Sequence, residues 1–274
     1  MRSGARGCGD AAAAAFGAAV SDILVICYHA VSDRWQSSMA LTEAALSAQL
    51  GFLADRGYRG ATITDAVLSR PAGKTVVVTF DDAYRSVFEL AAPILRRFGL
   101  PGTLFVPTAF PTTRQPMRWP GVDRWLGTPH ESELIPASWE EIGELADSGW
   151  EIGSHTRSHP RLTQIDDERL AEELEGSRRD CEQALGRPCT SLAYPHGDED
   201  ERVVRACAAA GYQVGATAPT PYYAPRPLRW PRVGVHRQDD LATFRSKVSR
   251  TRRLLRKDPL WTIYQAGRRL RARS

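Results

Sequence analysis

Short apolar runs alternate with amphipathic segments along most of the chain. Runs rich in β-branched residues predict buried strands at 23–29, 75–80, 102–107, 150–154, 191–195, 213–217 and 230–235. Apolar positions spaced three and four apart predict helices over 41–57, 84–99, 138–149, 166–186 and 200–211. This alternation is typical of parallel strands with helices outside them, in a barrel or a doubly wound sheet.

Two further features of the pattern concern function. No glycine-rich phosphate loop follows a predicted strand, so nothing indicates a nucleotide-binding sheet. The stretch 110–137, which contains Trp119 and Trp125, is the one long irregular insertion. An insertion of this length is either a lid or substrate rim or a plain surface excursion.

Two adjacent carboxylates end the most apolar of the predicted strands. In "TFDDAYRS", Asp81 and Asp82 follow the run Val76–Val78 almost directly. Adjacent carboxylates repel each other when both are ionised, and burial raises the cost further. We therefore expect a cation or a catalytic use for them, although Asp82 could instead cap the helix predicted near Tyr84.

A pair of histidines follows another predicted strand, in "GSHTRSHP". His155 and His159 are four residues apart, a spacing that allows two imidazoles to share one metal ion. Pro160 argues against a regular helix, so a loop is expected, with Ser154 and Thr156 bracing the imidazoles. Two histidines and a carboxylate form a ligand set for zinc or another divalent first-row metal.

The motifs "TFDDAY", "HTRSHP" and "LAYPHG", in this order, resemble the polysaccharide deacetylase family, also called the NodB homology domain or carbohydrate esterase family 4. The similarity extends over about residues 22–237, and we assign 22–240 to this domain. The opening "ILVICYHAV" resembles the subgroup that acts on poly-N-acetylglucosamine-type exopolysaccharides. The resemblance implies a distorted (β/α) barrel of about seven parallel strands. It also implies a metal-dependent hydrolase that removes N-acetyl groups from an amino-sugar polysaccharide, oligosaccharide or glycolipid-linked saccharide and releases acetate.

The resemblance also implies a role for each motif residue. Asp82, His155 and His159 match the metal ligands, most simply for zinc, with nickel, cobalt and iron as alternatives. Asp81 matches the general base. The tetrahedral oxyanion would be held by the metal and by the backbone N–H of His196.

Two roles are less directly assigned. His29, at the end of the first strand, matches the proton donor to the leaving amine of the exopolysaccharide subgroup, and His236 is the competing candidate. The arginine that pairs with the base in many family members is missing before "YPHG", and Arg232 is the proposed substitute.

The motifs depart from the family pattern at two more positions. Ala83 stands where a glycine is usual, and we expect its methyl group to narrow the approach of substrate. His196 stands where a tyrosine is usual, which could alter a sugar subsite. Two rival functions remain: deacylation of a small glycoside or other amide on the same scaffold, and carbohydrate binding without catalysis. The intact Asp81, Asp82, His155 and His159 argue against the second.

Charge is unevenly spread along the chain. The formal net charge is +4, but residues 245–274 hold eleven Lys and Arg against Asp258 alone, which is +10 and leaves −6 for the rest. The basic tail, 241–274, is either a helix on an anionic membrane surface or a helix packed on the barrel with a solvated arginine face. We expect an N-acetylated saccharide as the partner and no nucleic acid.

The remaining predictions concern location. Residues 1–21 are expected to be an unprocessed, disordered extension, with a weak export signal as the alternative. The five cysteines form no CxxC pair, which favours a reducing compartment. We therefore expect a cytoplasmic protein, with contact at the inner membrane surface as an option.

Overall fold

The structure, a computed structural model, describes residues 21–218 and 225–255. The strands are β1 (Asp22–Tyr28), β2 (Ala30–Val31), β3 (Ala40–Leu41), β4 (Arg59–Gly60), β5 (Lys74–Phe80), β6 (Gly102–Val106), β7 (Glu151–Ser154), β8 (Ser191–Ala193), β9 (Val214–Thr217), β10 (Trp230–Pro231) and β11 (Val233–Gly234). The α-helices are α1 (Glu43–Ala54), α2 (Ile63–Ser69), α3 (Ala92–Arg97), α4 (Trp139–Asp147), α5 (Asp167–Leu185), α6 (Glu201–Ala209), α7 (Leu241–Val248) and α8 (Arg250–Leu255). Helix α4 begins with a capping box formed by Ser138 and Glu141.

The main sheet is parallel and nearly closed into a barrel. Its strands lie in the order β10-β9-β8-β7-β6-β5-β1-β11, with β4 beside β5. Strand β5 is buried along its length after Lys74, as expected for a parallel strand covered on both faces. Hydrophobic side chains of the helices cover the outside of the sheet.

The barrel closes through one extended segment, 230–234. Its first part, β10, pairs with β9 at one edge of the sheet, and its second part, β11, pairs with β1 at the other edge. Only Arg232 lies between the two parts. Counted as one strand, this segment joins β1, β5, β6, β7, β8 and β9 to make seven, so the prediction of a barrel of about seven parallel strands is confirmed.

The predicted helix 84–99 has a different internal structure. A π-helical turn, Val87–Ala91, precedes α3, and Pro93 lies in the first turn of α3. Proline has no N–H to donate to the preceding turn, so a regular α-helix through Pro93 would lose a hydrogen bond, and the wider turn relieves this conflict. Helix α2 and strand β4 were not predicted, because each is too short to show a clear period.

Most of the predictions for the two ends of the chain concern residues that the structure does not describe. The predicted extension 1–21 lies, apart from Ser21, outside the described residues, as does the tail beyond residue 255. Within the described part of the tail, α7 buries Phe244 and Val248 against the barrel. No helix in the described ranges is long and apolar enough to cross a bilayer. The domain boundaries and the location stay predictions.

Candidate metal centre and active site

A cavity of about 630 Å³ opens at the carboxyl ends of the barrel strands. Its lining includes all of the predicted site residues: His29, Asp81, Asp82, His155, His159, His196 and Arg232. Parallel strands place their carboxyl ends at one face of a barrel, and this brings together residues that are more than 200 positions apart.

The two carboxylates leave β5 in different directions. The backbone N–H of Asp81 donates to Tyr28 O at 3.0 Å, which extends the pairing of β5 with β1. Asp82 has a left-handed backbone, with φ of 69°, so the chain turns sharply there. Its Oδ1 atom is buried and has no hydrogen-bond partner among the described residues. The alternative role of this oxygen as a helix cap is therefore not observed.

His155 presents one particular nitrogen to Asp82. Its Nδ1 lies 2.8 Å from Ala193 O. Because a carbonyl oxygen can only accept, Nδ1 must carry the proton, and Nε2 is left with a lone pair. That Nε2 lies 3.4 Å from Asp82 Oδ1. The carbonyl at the end of β8 therefore sets the tautomer that a metal ligand requires.

His159 reaches the same oxygen from the loop after β7. Its Nε2 is also 3.4 Å from Asp82 Oδ1. The loop is held by its own hydroxyl groups: His159 N–H donates to Thr156 Oγ1 at 3.1 Å, and Thr156 N–H donates to Ser154 Oγ at 3.0 Å. The prediction that Ser154 and Thr156 brace the imidazoles is wrong, because they hold the backbone of the loop.

The donor set of Asp82, His155 and His159 fits a divalent cation. One candidate ligand atom from each residue lies within 4.8 Å of the other two, and all three side chains are buried. Burial lowers the pKa of His159, which favours the neutral form that binds metal. An uncompensated carboxylate facing a nitrogen lone pair would be costly in a buried site. A cation at this position removes that cost.

Asp81 is held in a separate ion pair. Arg232 donates to Oδ1 at 2.6 Å and to Oδ2 at 2.8 Å, and its Nη1 also donates to Thr79 Oγ1 at 3.1 Å. Burial alone would raise the pKa of Asp81, but Arg232 and then His155 outweigh it and lower the pKa to about 2. Asp81 is therefore ionised at neutral pH, and it does not belong to the set of candidate ligands formed by Asp82, His155 and His159.

A thiol also contacts Asp81, and the sequence analysis missed it. Cys27 Sγ lies 3.4 Å from Asp81 Oδ2, close enough for a weak S–H donor contact. Burial raises the pKa of this thiol well above its usual value, so it stays protonated. The alternation of side chains along β1 could have indicated that Cys27 and His29 point to the same side.

The two candidate proton donors both face the cavity. Candidate ligand atoms of His29, Cys27 and Asp81 lie within 4.8 Å of one another, and His29 Nδ1 is buried without a hydrogen-bond partner in the described chain. His236 is half-buried, and burial followed by the charge of Lys247 lowers its pKa. His29 is thus the histidine that lies beside the carboxylate of Asp81.

His196 lies next to the donor set on a turn after β8. Its φ is 59°, and its ring centroid is 4.6 Å from that of His159. Partial burial and the neighbouring His159 lower the pKa of His196 to about 4. The imidazole is therefore neutral at neutral pH and forms part of the cavity wall.

The insertion 110–137 supplies one wall of the cavity. Trp119 stacks on His159 with ring centroids 4.2 Å apart and an interplanar angle of 24°, and Val122 also lines the cavity. Trp125 packs instead against the buried Trp35, at 5.7 Å between centroids. Sequence reasoning identified the insertion as a possible rim but did not find the contact of Trp119 with a candidate ligand.

Ala83 has a different effect from the one predicted. Its side chain is fully buried and does not line the cavity, so it does not narrow the approach of substrate. Its φ is 54°, a left-handed conformation that favours glycine. The usual glycine at this position is explained by backbone conformation.

Comparisons with known proteins identify the family of the chain. A family model described as polysaccharide deacetylase matches residues 69–215, more than half of the 274 residues. YxkH of Bacillus subtilis, whose name refers to the same family, is 26% identical over 198 residues, which are 70% of this chain and 63% of that protein. The poly-β-1,6-N-acetyl-D-glucosamine N-deacetylase of Escherichia coli K12 is 29% identical over 151 residues, 48% of this chain and 20% of that enzyme. This chain thus spans less than two thirds of the length of either relative.

A solved structure shows the same fold. The Streptococcus pyogenes deacetylase PplD, in complex with acetate, superposes with a TM-score of 0.68 at 19% identity. The match covers 83% of this chain and 98% of PplD.

Proposed function

Because the chain belongs to the polysaccharide deacetylase family, we propose that it is a metal-dependent hydrolase that removes N-acetyl groups from an amino-sugar polysaccharide, oligosaccharide or glycolipid-linked saccharide. The observation that carries this proposal is the juxtaposition of two carboxylates with different surroundings. Asp82 faces two imidazole nitrogens at 3.4 Å, whereas Asp81 is paired with Arg232. One carboxylate is thus placed to bind a cation and the other to accept a proton.

Asp82, His155 and His159 would hold the divalent cation, and zinc is the first candidate because two imidazoles and a carboxylate suit it. Such an ion would supply Lewis acidity toward the attacking water and the amide carbonyl. Asp81 accepts the proton of the water, and Arg232 keeps its carboxylate oriented and ionised. The N–H of His196 would donate to the oxyanion.

Cleavage of the amide C–N bond releases acetate and leaves the sugar nitrogen in need of a proton. We assign that proton to His29, which lies beside Asp81 in the same cavity. His236 is the alternative donor. A substrate of the poly-N-acetylglucosamine type is the first to test, since the Escherichia coli relative is named for that polymer.

Acetate release from N-acetylglucosamine oligomers of β-1,6 and β-1,4 linkage tests the proposal. Chelation should abolish release, and zinc should restore it. Asp81→Asn should lower release by about 10²- to 10⁴-fold while the metal content stays the same, because general base catalysis is lost and the ligands are retained. The control Asp167→Asn removes a surface carboxylate that is 86% exposed and should have no effect.

Two results would contradict the proposal. Unchanged release in Asp81→Asn would exclude the assigned base. A folded, metal-loaded protein that binds the oligomers and releases no acetate would be a carbohydrate-binding protein. Release from small N-acetyl glycosides but not from oligomers would limit the activity to deacylation of small glycosides.

The proton donor can be tested separately with two leaving groups. His29→Ala should slow amide hydrolysis about 100-fold or more, but it should affect p-nitrophenyl acetate much less, because nitrophenolate leaves without a proton. His236→Ala should affect both substrates to a similar, smaller extent. The reverse pattern would assign the proton to His236.

A further inference from the structure

A second cavity, of about 590 Å³, lies at the opposite end of the barrel. Asp22 and Lys74, which begin β1 and β5, are paired in the sheet and line this cavity. The seven residues of β1 span about 20 Å at the usual rise per residue, so the cavity is far from the carboxyl-end site. The barrel thus has a second concave surface that the proposed reaction does not use.

The lining of this cavity is strongly basic. Four cationic side chains line it: Arg56, Lys74, Arg245 and Arg250. Among the described residues, no carboxylate forms a salt bridge with any of the four. The one acid in the lining, Asp22, is already paired with Arg253 at 2.7 Å. The cavity therefore carries excess positive charge from four separate segments of the chain.

Packing holds two of these cations on one ring. The guanidinium carbon of Arg56 lies 3.7 Å from the centroid of Phe52, and that of Arg245 lies 5.0 Å from the same centroid. Lys74 Nζ donates to Arg56 O at 2.9 Å. Like charges that are held close together repel, and an anion between them relieves this repulsion. Phosphate is an anion whose oxygens match the paired N–H donors of an arginine side chain.

The sequence after the described residues favours an extended anionic surface over a small anion. Residues 256–274 contain six more Lys and Arg and one acid, Asp258. They follow α8, which begins at the cavity with Arg250. A single phosphate ion could neutralise at most part of this charge, whereas a lipid surface offers many phosphates side by side.

We propose that the basic side chains of this cavity dock the chain on the phosphate headgroups of an anionic membrane. The amino end of the barrel then faces the lipid, and the deacetylase cavity faces away from it. This inference does not depend on the proposed catalytic activity.

Flotation of the full chain with lipid vesicles tests the proposal. The protein should float with phosphatidylcholine vesicles that contain phosphatidylglycerol, should not float with pure phosphatidylcholine, and should be released by high salt. Arg56→Gln combined with Arg245→Gln should weaken binding roughly 25-fold, because each basic residue near an anionic surface strengthens binding about fivefold. Thermal unfolding of the variant confirms that it is folded.

A matched control distinguishes the effect of the cavity residues on vesicle binding from the effect of the net charge of the protein. Arg34→Gln combined with Arg205→Gln removes the same charge from two exposed positions outside the cavity. This control should bind vesicles as the wild type does. An equal loss in both double variants, or no loss in the cavity variant, would overturn the proposal.

Two further measurements, stabilisation by inorganic phosphate and acetate release by the variants, distinguish membrane binding from binding of a free anion and from an effect on catalysis. If inorganic phosphate stabilises the wild type but vesicles do not bind, the cavity is a site for a free anion and the membrane proposal is wrong. Acetate release from a soluble oligomer should be the same in both double variants. Failure of the deacetylase proposal would leave the flotation result unaffected.

Discussion

At the carboxyl end of the barrel, Asp81, Asp82 and Arg232 are at most 4% exposed, whereas Arg56 and Arg245 are exposed at the amino end. The buried charges each face a particular partner: Arg232 contacts both oxygens of Asp81, and Asp82 faces two imidazoles. The exposed cations have no acidic partner among the described residues. The same residue types thus occur in two different electrostatic settings.

The difference predicts how each end responds to change. A buried charge depends on its particular partner, because water cannot replace a lost contact. An exposed cation is hydrated without a partner, and its long-range attraction is screened by salt. Single substitutions should therefore have large effects at the carboxyl end, and ionic strength should have its main effect at the amino end.

The largest effect is expected for Asp82→Asn. The amide lacks the negative charge that balances a divalent cation between His155 and His159. We expect loss of the bound metal on dialysis and a fall in acetate release of about 10³-fold or more. Elemental analysis and an acetate assay measure the two effects. Stoichiometric metal in the variant would show that this carboxylate is not a ligand.

The second prediction removes the partner of Asp81. Arg232→Met leaves a buried carboxylate without its guanidinium, and we expect a loss of about 3–5 kcal/mol in the free energy of unfolding at neutral pH. The control is Arg157→Met, since Arg157 is 40% exposed in its pair with Asp180 and should lose at most about 1 kcal/mol. Urea denaturation measures both losses.

The pH dependence of the same pair has a definite sign. Folding lowers the pKa of Asp81 from 3.8 to about 2. The stabilisation from this shift is therefore complete above pH of about 4 and is lost as the pH falls through about 2. The deficit of Arg232→Met should accordingly shrink on acidification over this range. A deficit that is constant from neutral pH to pH of about 2 would show that packing, and not charge, explains the loss.

The third prediction compares two tryptophans of the insertion. Trp119 stacks on His159, a candidate metal ligand, whereas Trp125 packs on Trp35. Trp119→Ala should weaken metal retention about 10- to 100-fold, the range found for groups that orient metal ligands. Trp125→Ala should lower stability and leave the metal affinity of the folded protein unchanged. Equal metal affinities in the two variants would reduce Trp119 to a packing role.

The pattern of the sequence was sufficient for the strand–helix alternation and for the approximate places of Asp81, Asp82, His155 and His159, because periodicity and motif order depend on local pattern. The alternation left a barrel and a doubly wound sheet open, and only the resemblance of the motifs to the deacetylase family favoured the barrel. It was not sufficient for contacts that join distant segments, such as the carbonyl of Ala193 that fixes the tautomer of His155. Such contacts depend on how strands align in three dimensions.

The left-handed backbone conformation of several site residues could also not be predicted from the sequence. Asp82, Thr156, His159 and His196 all have positive φ, and none is a glycine. Local preference opposes this conformation by about 1–2 kcal/mol per residue, so only the surrounding structure can impose it. The four residues lie in or beside the candidate metal centre, where side-chain identity matters more than backbone preference.

Ala83 allows the cost of the left-handed backbone to be measured apart from any role of the side chain in the cavity, and the expected change in stability is the smallest of those predicted here. It is left-handed, with φ of 54°, but its buried methyl group does not reach the cavity. Ala83→Gly should relieve the strain of about 1–2 kcal/mol, partly offset by the greater freedom of glycine in the unfolded chain, for a net gain of about 0.5–1 kcal/mol. Ala208→Gly, in the right-handed helix α6 and exposed, should instead lose about 1 kcal/mol. Urea denaturation of the two variants compares them directly. If both lose stability equally, the backbone at Ala83 carries no strain, and the left-handed residues of the candidate metal centre need another explanation.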